Sequence, residues 1–313
     1  MILCFRQNVI WVCASVTNSS SFKCKFCASC NGFGCVGELP GLGGVFESRN
    51  FQLNCAAWKE HYDRLIKEGF VFDEGPLPKE VLRCGPVTGA VQNIGFEKEG
   101  DFYLPYFTAC TKAGIGICVG DGCPDEKLEL GVEAVKKLGT KAAFFLKPYP
   151  NQVLARRVEM VRPYAAYIGM DIDSYNILTM RNLVNLEKKN AESITEFRSH
   201  FEVPFVIKGV FTKEDVKLVK EVHPDVVYIS NHGGRVETRV GSTADFLYEN
   251  AQELKNYCSQ IWVDGGIRTK EDIQTALALG ADKVIAARPF LTALCSGGEE
   301  KMSERALKML SLQ

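Results

Sequence analysis

The sequence predicts an α/β fold, a TIM (β/α)8 barrel with an N-terminal Cys-rich extension, and three observations support it. From about residue 80 onward, short β-rich runs alternate with stretches of helical periodicity. The runs are apolar almost throughout instead of alternating, as in parallel strands buried on both faces. Eight such units in roughly 230 residues match the count and length of this barrel. A doubly wound open sheet satisfies the same pattern, because periodicity carries no information about closure.

The candidate strands, in order, are VLRCGPV (81–87), GIGICVG (114–120), AAFFLKP (142–148), AAYIGMD (165–171), PFVIKGV (204–210), DVVYISN (225–231), IWVDGGI (261–267) and KVIAARP (283–289). Between them, segments such as DEKLELGVEAVKKLG and TKEDVKLVKEV place apolar residues three and four apart, with Thr or Asp where an N-cap belongs. Each reads as a surface helix. Residues 1–78 do not share this rhythm and are rich in Cys and Gly, so they are assigned to an extension that packs on a barrel of residues 79–313.

With 313 residues and 46% hydrophobic composition, the chain can fill a sizeable core. Its 37 basic and 38 acidic side chains leave a formal charge of −1, so no global field favours nucleic acid or an anionic membrane. The opening MILCFRQNVIWVCASV is interrupted by Arg6, Gln7 and Asn8 and has no preceding basic region. No cleaved leader or membrane span is therefore expected, and a cytoplasmic location is. The thirteen cysteines form an odd set without a secretory signal, which argues against a disulfide framework. Cys110, Cys118, Cys258 and Cys295 lie in apolar surroundings and read as buried small hydrophobes.

Both candidate architectures gather function where strands give way to helices. Polar and glycine residues cluster there: Pro86 to Gly89, Gly120 to Gly122, Lys147, Asp171, Asp173, Lys208, Ser230 to Arg235, Asp264 to Arg268, and Ala287 with Arg288. Gly265 and Gly266 leave backbone N–H groups open to a ligand, and the following helix aims its positive end at the same point. Arg268 and Arg288 add forks suited to phosphate, on the two loops that commonly hold phosphate in such barrels. Lys208 ends an apolar strand and must meet an anionic ligand or a carboxylate. His232 can move a proton and Arg235 can grip a carboxylate bidentately. Together they suit a small substrate whose carboxylate neighbours a carbon that loses hydrogen.

KGV, SNHGGR, VDGGIR, ALALGADKV and ARPF, in this order and spacing, resemble the FMN-dependent α-hydroxy acid oxidase and dehydrogenase family, closely over 200–292 and loosely over 80–180. The resemblance implies a flavoprotein TIM barrel with FMN at its C-terminal face. The implied activity is an oxidoreductase that converts a lactate- or glycolate-like 2-hydroxy acid to the 2-oxo acid. It makes His232 the active-site base, Asp173 the carboxylate that orients it, and Arg235 the substrate anchor. Lys208 would lie beside flavin N1 and O2. Asp264, Gly265, Gly266, Arg268 and Arg288 would hold the ribityl phosphate, with Ser230 and Ala287 in the cofactor set. Pro86, Val87 and Thr88 would lie against the isoalloxazine.

The chain departs from that family at several points. Phe145-Leu146-Lys147 stands where the family has Gln-Leu-Tyr, Asp171 stands for a threonine, and Ala287 for a glycine. The family's arginine-bearing loop is shortened to SYNILTMRN, with Arg181 as a candidate second arginine. Two further readings therefore stay open: an FMN-dependent isomerase of the type 2 isopentenyl-diphosphate class, and a non-catalytic flavin-binding barrel. Cys24, Cys27, Cys30 and Cys35 follow C-x2-C-x2-C-x4-C, a spacing that can ligate an iron–sulfur cluster or zinc. Such a cluster would pass electrons from the flavin to a redox partner instead of oxygen. By analogy with related barrels, a homo-oligomer is expected.

Overall fold

The structure, a computed structural model, describes residues 3–6, 9–12, 49–176, 184–236 and 238–312. Strands β1 (Leu3–Arg6) and β2 (Val9–Val12) pair antiparallel. Helix α1 (Arg49–Lys67) follows. Then come β3 (Leu82–Cys84), α2 (Gly100–Ala113), β4 (Cys118–Gly120), α3 (Glu126–Lys137), β5 (Ala142–Leu146) and α4 (Asn151–Val161). The second half holds β6 (Ala165–Asp171), α5 (Ala191–Arg198), β7 (Phe205–Val210), α6 (Lys213–Val222), β8 (Val226–Ile229) and α7 (Thr243–Leu254). It ends with β9 (Gln260–Val263), α8 (Lys270–Ala278), β10 (Lys283–Ala286) and α9 (Arg288–Met309), the last kinked at Gly297 and Gly298.

Strands β3 to β10 form one parallel sheet in the order β3-β10-β9-β8-β7-β6-β5-β4. Gly116, just before β4, bonds to both Leu82 and Cys84 of β3, through Gly116 N to Leu82 O (3.0 Å) and Cys84 N to Gly116 O (2.9 Å). These bonds join the two ends of the order. The eight strands therefore form a barrel, and the open-sheet alternative is set aside. Every strand but β6, which fills its run, is shorter than its apolar run in the sequence, and in β3, β5, β8, β9 and β10 the polar, proline and glycine residues at the run's end turn out into the loops.

Two buried layers explain why the runs do not alternate. Phe145, Val206, Tyr228, Trp262 and Ile285 fill the barrel interior, while Phe144, Ile207, Val227, Val263 and Val284 pack beneath the helices. Each such side chain contributes about 1.5–3 kcal/mol by leaving water. Arg83 enters the interior as well, with its guanidinium 4.8 Å from the Trp262 ring, and Nη2 donating to Ile117 O at 2.9 Å. Of the scattered cysteines, Cys110, Cys118 and Cys295 are buried and Cys258 is half-buried. Among the described residues, no helix is long and apolar enough to cross a membrane.

Helix α1 belongs to the stretch assigned to the extension, yet it shapes the barrel mouth. Its buried face carries Phe51, Asn54, Ala57 and Trp58, spaced three and four apart. Asn54 exchanges hydrogen bonds with Asn231 (2.8 and 3.1 Å) and accepts from Thr243 N at 3.0 Å. Asn50 donates to Val236 O and accepts from Gly241 N, both at 2.8 Å. Trp58 Nε1 donates to Gly265 O at 2.6 Å. The close approach requires glycine at two loops: a Cβ on Gly234 would lie 2.4 Å from Phe51 N, and one on Gly266 1.9 Å from Asn54 O. Both also have positive φ, +92° and +79°.

Candidate active site

A cavity of about 260 Å³ opens at the C-terminal ends of the strands. Most of the strand-end residues named from the sequence line it: Pro86, Val87, Thr88, Lys208, His232, Arg235, Asp264, Gly265, Gly266, Arg268, Ala287 and Arg288. Asp173 and Ser230 stand one layer behind. Ser230 Oγ donates to Asp264 Oδ2 (3.1 Å) and accepts from His232 N (3.1 Å). Cys24, Cys27, Cys30, Cys35 and Arg181 lie outside the described residues.

The centre of the site is a chain of charge. After β6, a 3-10 turn (Ile172–Asn176) brings Asp173 under the β8 loop. Asp173 Oδ1 lies 3.1 Å from His232 Nδ1, and Lys208 Nζ lies 2.6 Å from Asp171 Oδ1 and 3.3 Å from Asp173 Oδ1. Burial pushes Asp173 up, but Lys208 and His232 outweigh it and hold its carboxyl well below the usual range. Burial keeps Asp171 raised despite Lys208. Burial also opposes the charge on Lys208, but Asp171, Asp173 and Asp264 more than compensate and keep it an ammonium. His232 adopts φ +56°, unusual for a side chain with a Cβ and the kind of strain found at functional sites. With Nδ1 donating to Asp173, Nε2 carries the ring's lone pair.

Asp171, Asp173 and His232 offer atoms within 4.8 Å of one another, a spacing that could suit a metal ion. Lys208 Nζ lies within 2.6, 3.3 and 3.4 Å of these groups, so the ammonium already fills the place a cation would take. Arg235 lines the cavity, and its Nη2 donates to Asn93 Oδ1 at 3.4 Å. Burial alone lowers its pKa, and no carboxylate compensates it among the described residues.

The phosphate end is built differently from the sequence expectation. Helix α8 has its first turn closed by a capping box, in which Thr269 Oγ1 accepts from Asp272 N and Asp272 Oδ2 accepts from Arg268 N and Thr269 N. Helix α9 starts at Arg288 with no side-chain cap, so its positive end opens into the cavity. Among the described residues, Arg268 Nε and Nη2 are buried without a hydrogen-bond partner, and Asp264 Oδ1 is likewise buried and unpaired. An uncapped helix, orphaned guanidinium donors and a second arginine, Arg288, are the donor set a phosphate monoester requires. The residues present fit FMN.

Residues 138–313 match the model of the FMN-dependent dehydrogenases. The chain belongs to the FMN-dependent dehydrogenase family. 2-Hydroxyacid oxidase 2 of Bos taurus is 38% identical over 113 residues, 36% of this chain and 32% of that protein. L-lactate dehydrogenase of Yersinia pestis (strain Pestoides F) is 40% identical over 111 residues, 36% of this chain and 28% of that protein. The chain thus matches about a third of the length of these curated relatives. The solved structure of mandelate oxidase with (S)-2-phenylpropionate superposes with a TM-score of 0.64 at 20% identity, covering 85% of this chain and 83% of that one, which establishes the fold. Pro86, Val87 and Thr88 precede the span that matches the family model.

The sequence assigned no role to Asn93, Lys127 or Asp121, all of which line the cavity. Asp121 is paired with Arg157 at 2.8 Å and accepts from Lys147 N at 3.2 Å, and burial raises it to about 6 against the pull of Arg157. Its strand-end position, between Gly120 and Gly122, was the available signal. Asn93 sits on the turn Ala90–Ile94, to which no motif in the sequence points.

Proposed function

We propose that the protein is an FMN-dependent oxidoreductase that converts a 2-hydroxy acid to the 2-oxo acid. One observation carries the reading: a carboxylate-oriented His232 faces the same cavity as the guanidinium of Arg235, which has no carboxylate partner among the described residues. Arg235 binds the substrate carboxylate and so fixes the hydroxyl-bearing carbon against His232. His232 Nε2 takes one proton from the substrate, and Asp173 stabilises the imidazolium that results. Bound FMN supplies the acceptor for the electron pair and remaining hydrogen that leave the substrate carbon. Lys208 places a fixed positive charge in the cavity, suited to negative charge that develops there.

The alternatives are less well supported. An isomerase acting on a diphosphate has no need of an oriented histidine base beside a carboxylate-binding arginine, and a non-catalytic barrel has no need of the buried Asp173. A homo-oligomer, by analogy with related barrels, and the cytoplasmic location expected from the sequence complete the proposal, and sizing of the purified protein and cell fractionation check them.

Anaerobic mixing of the FMN-loaded protein with a panel of 2-hydroxy acids, followed by flavin absorbance, tests the reading. One acid should bleach the flavin and yield its 2-oxo acid. A flavin left fully oxidised by every acid in the panel would overturn the proposal.

A further inference from the structure

Lys147, immediately after β5, lines the cavity, and the proposed reaction gives it no task. Its side chain is only 7% exposed, yet the acid beside it, Asp171 Oδ2, is 3.8 Å away and too far for a hydrogen bond. The other oxygen of that carboxylate already accepts from Lys208 at 2.6 Å. Among the described residues, the Lys147 ammonium has no hydrogen-bond acceptor, and its charge is balanced only at longer range, by Asp171 and by Asp121, whose carboxyl it helps to pull down. An ammonium this buried is costly unless a ligand answers its N–H groups.

Arg235 and Lys147 stand on different parts of the cavity rim. Arg235 follows β8 and Lys147 follows β5, and β6 and β7 separate these strands in the ring. The two cations therefore enter the cavity from different parts of its rim. A guanidinium fork satisfies one carboxylate bidentately, and an ammonium on another part of the rim is placed to meet a different anionic group of the same ligand.

We propose that Lys147 is a specificity-determining residue that binds a second anionic group, so that the preferred substrate is a 2-hydroxy acid carrying a second carboxylate. The proposal rests on the oxidase reading and deepens it. Asp171 and Asp121 balance the charge of Lys147 until substrate arrives, and Asp171 remains paired with Lys208 afterwards.

The test uses the FMN-loaded protein and two unreactive product-like anions, 2-oxoglutarate with two carboxylates and pyruvate with one. Binding is read from the perturbation of the flavin's visible spectrum, and the same spectrum reports that FMN is in place. The wild type should bind 2-oxoglutarate more tightly than pyruvate. Lys147→Met should weaken 2-oxoglutarate by about 10- to 100-fold and pyruvate by less than about threefold, the size of a lost charge-assisted contact. Lys147→Arg keeps the charge and should keep the preference, and Lys147→Gln repeats the test should the Met variant lose FMN. Equal weakening of both anions would mean that Lys147 shares the carboxylate of Arg235, and no weakening would make it a counter-ion only. Either result overturns this proposal and leaves the oxidase reading standing. If the wild type binds neither anion, the oxidase reading falls and this proposal falls with it.

Discussion

His232 Nδ1 lies 3.1 Å from Oδ1 of the buried Asp173, and that same oxygen lies 3.3 Å from Lys208 Nζ. One carboxylate oxygen thus orients the proposed base and helps to hold a buried cation. Asp173→Asn removes the charge with little change of shape. The rate of flavin reduction by substrate should fall by about 100-fold or more, while FMN remains bound. Stopped-flow absorbance under anaerobic conditions measures it, and an unchanged rate would exclude Asp173 as the orienting group.

At the phosphate end, the orphaned donors of Arg268 and the uncapped start of α9 call for an anion. Arg268→Ala and Arg288→Ala should each weaken FMN binding by about 10- to 100-fold. Flavin retained after gel filtration, at a series of protein concentrations, gives the comparison with wild type. Asp173→Asn serves as the control that retains its flavin.

The hold of α1 on the mouth depends on Asn54, which is fully buried and hydrogen-bonded to Asn231 and Thr243. Asn54→Ala leaves those groups unanswered and should lower stability by about 1–3 kcal/mol in denaturant unfolding. Gly266→Ala drives a methyl group to 1.9 Å from Asn54 O and adds backbone strain, so it should be the more damaging of the two.

A pH effect follows from the same helix. His61 Nε2 lies 2.8 Å from Asp245 Oδ1, and this hydrogen bond with that of Ser242 holds the Asp245 carboxyl at about 2. In the unfolded chain it titrates at about 3.9, so the folded form binds its proton less readily. The stabilisation is complete above the unfolded value and is lost as pH falls through about 4 towards 2. Asp245 is half exposed, so solvent screening keeps the effect small. Between pH 4 and 2, the melting temperature of the wild type should fall more steeply than that of Asp245→Asn. Parallel slopes would show that the pair does not contribute.

The sequence by itself determined the strand count and the places where function gathers. Uniformly apolar runs mean strands buried on both faces, and the polar residues that end them, such as Lys208 and His232, are stranded at one end of whatever sheet forms. Local pattern holds that information, so it can be read in one dimension. Only the tertiary structure decided that the sheet closes, because closure depends on Gly116 meeting Leu82 and Cys84 through backbone bonds that no side chain announces. The same holds for α1, whose asparagines brace loops nearly 200 residues away, and for Lys147, which stands where the family has a tyrosine and whose long contact with Asp171 only the packing reveals. A charge is legible in a sequence, but the distance to its counter-ion is set by the packing of the whole barrel.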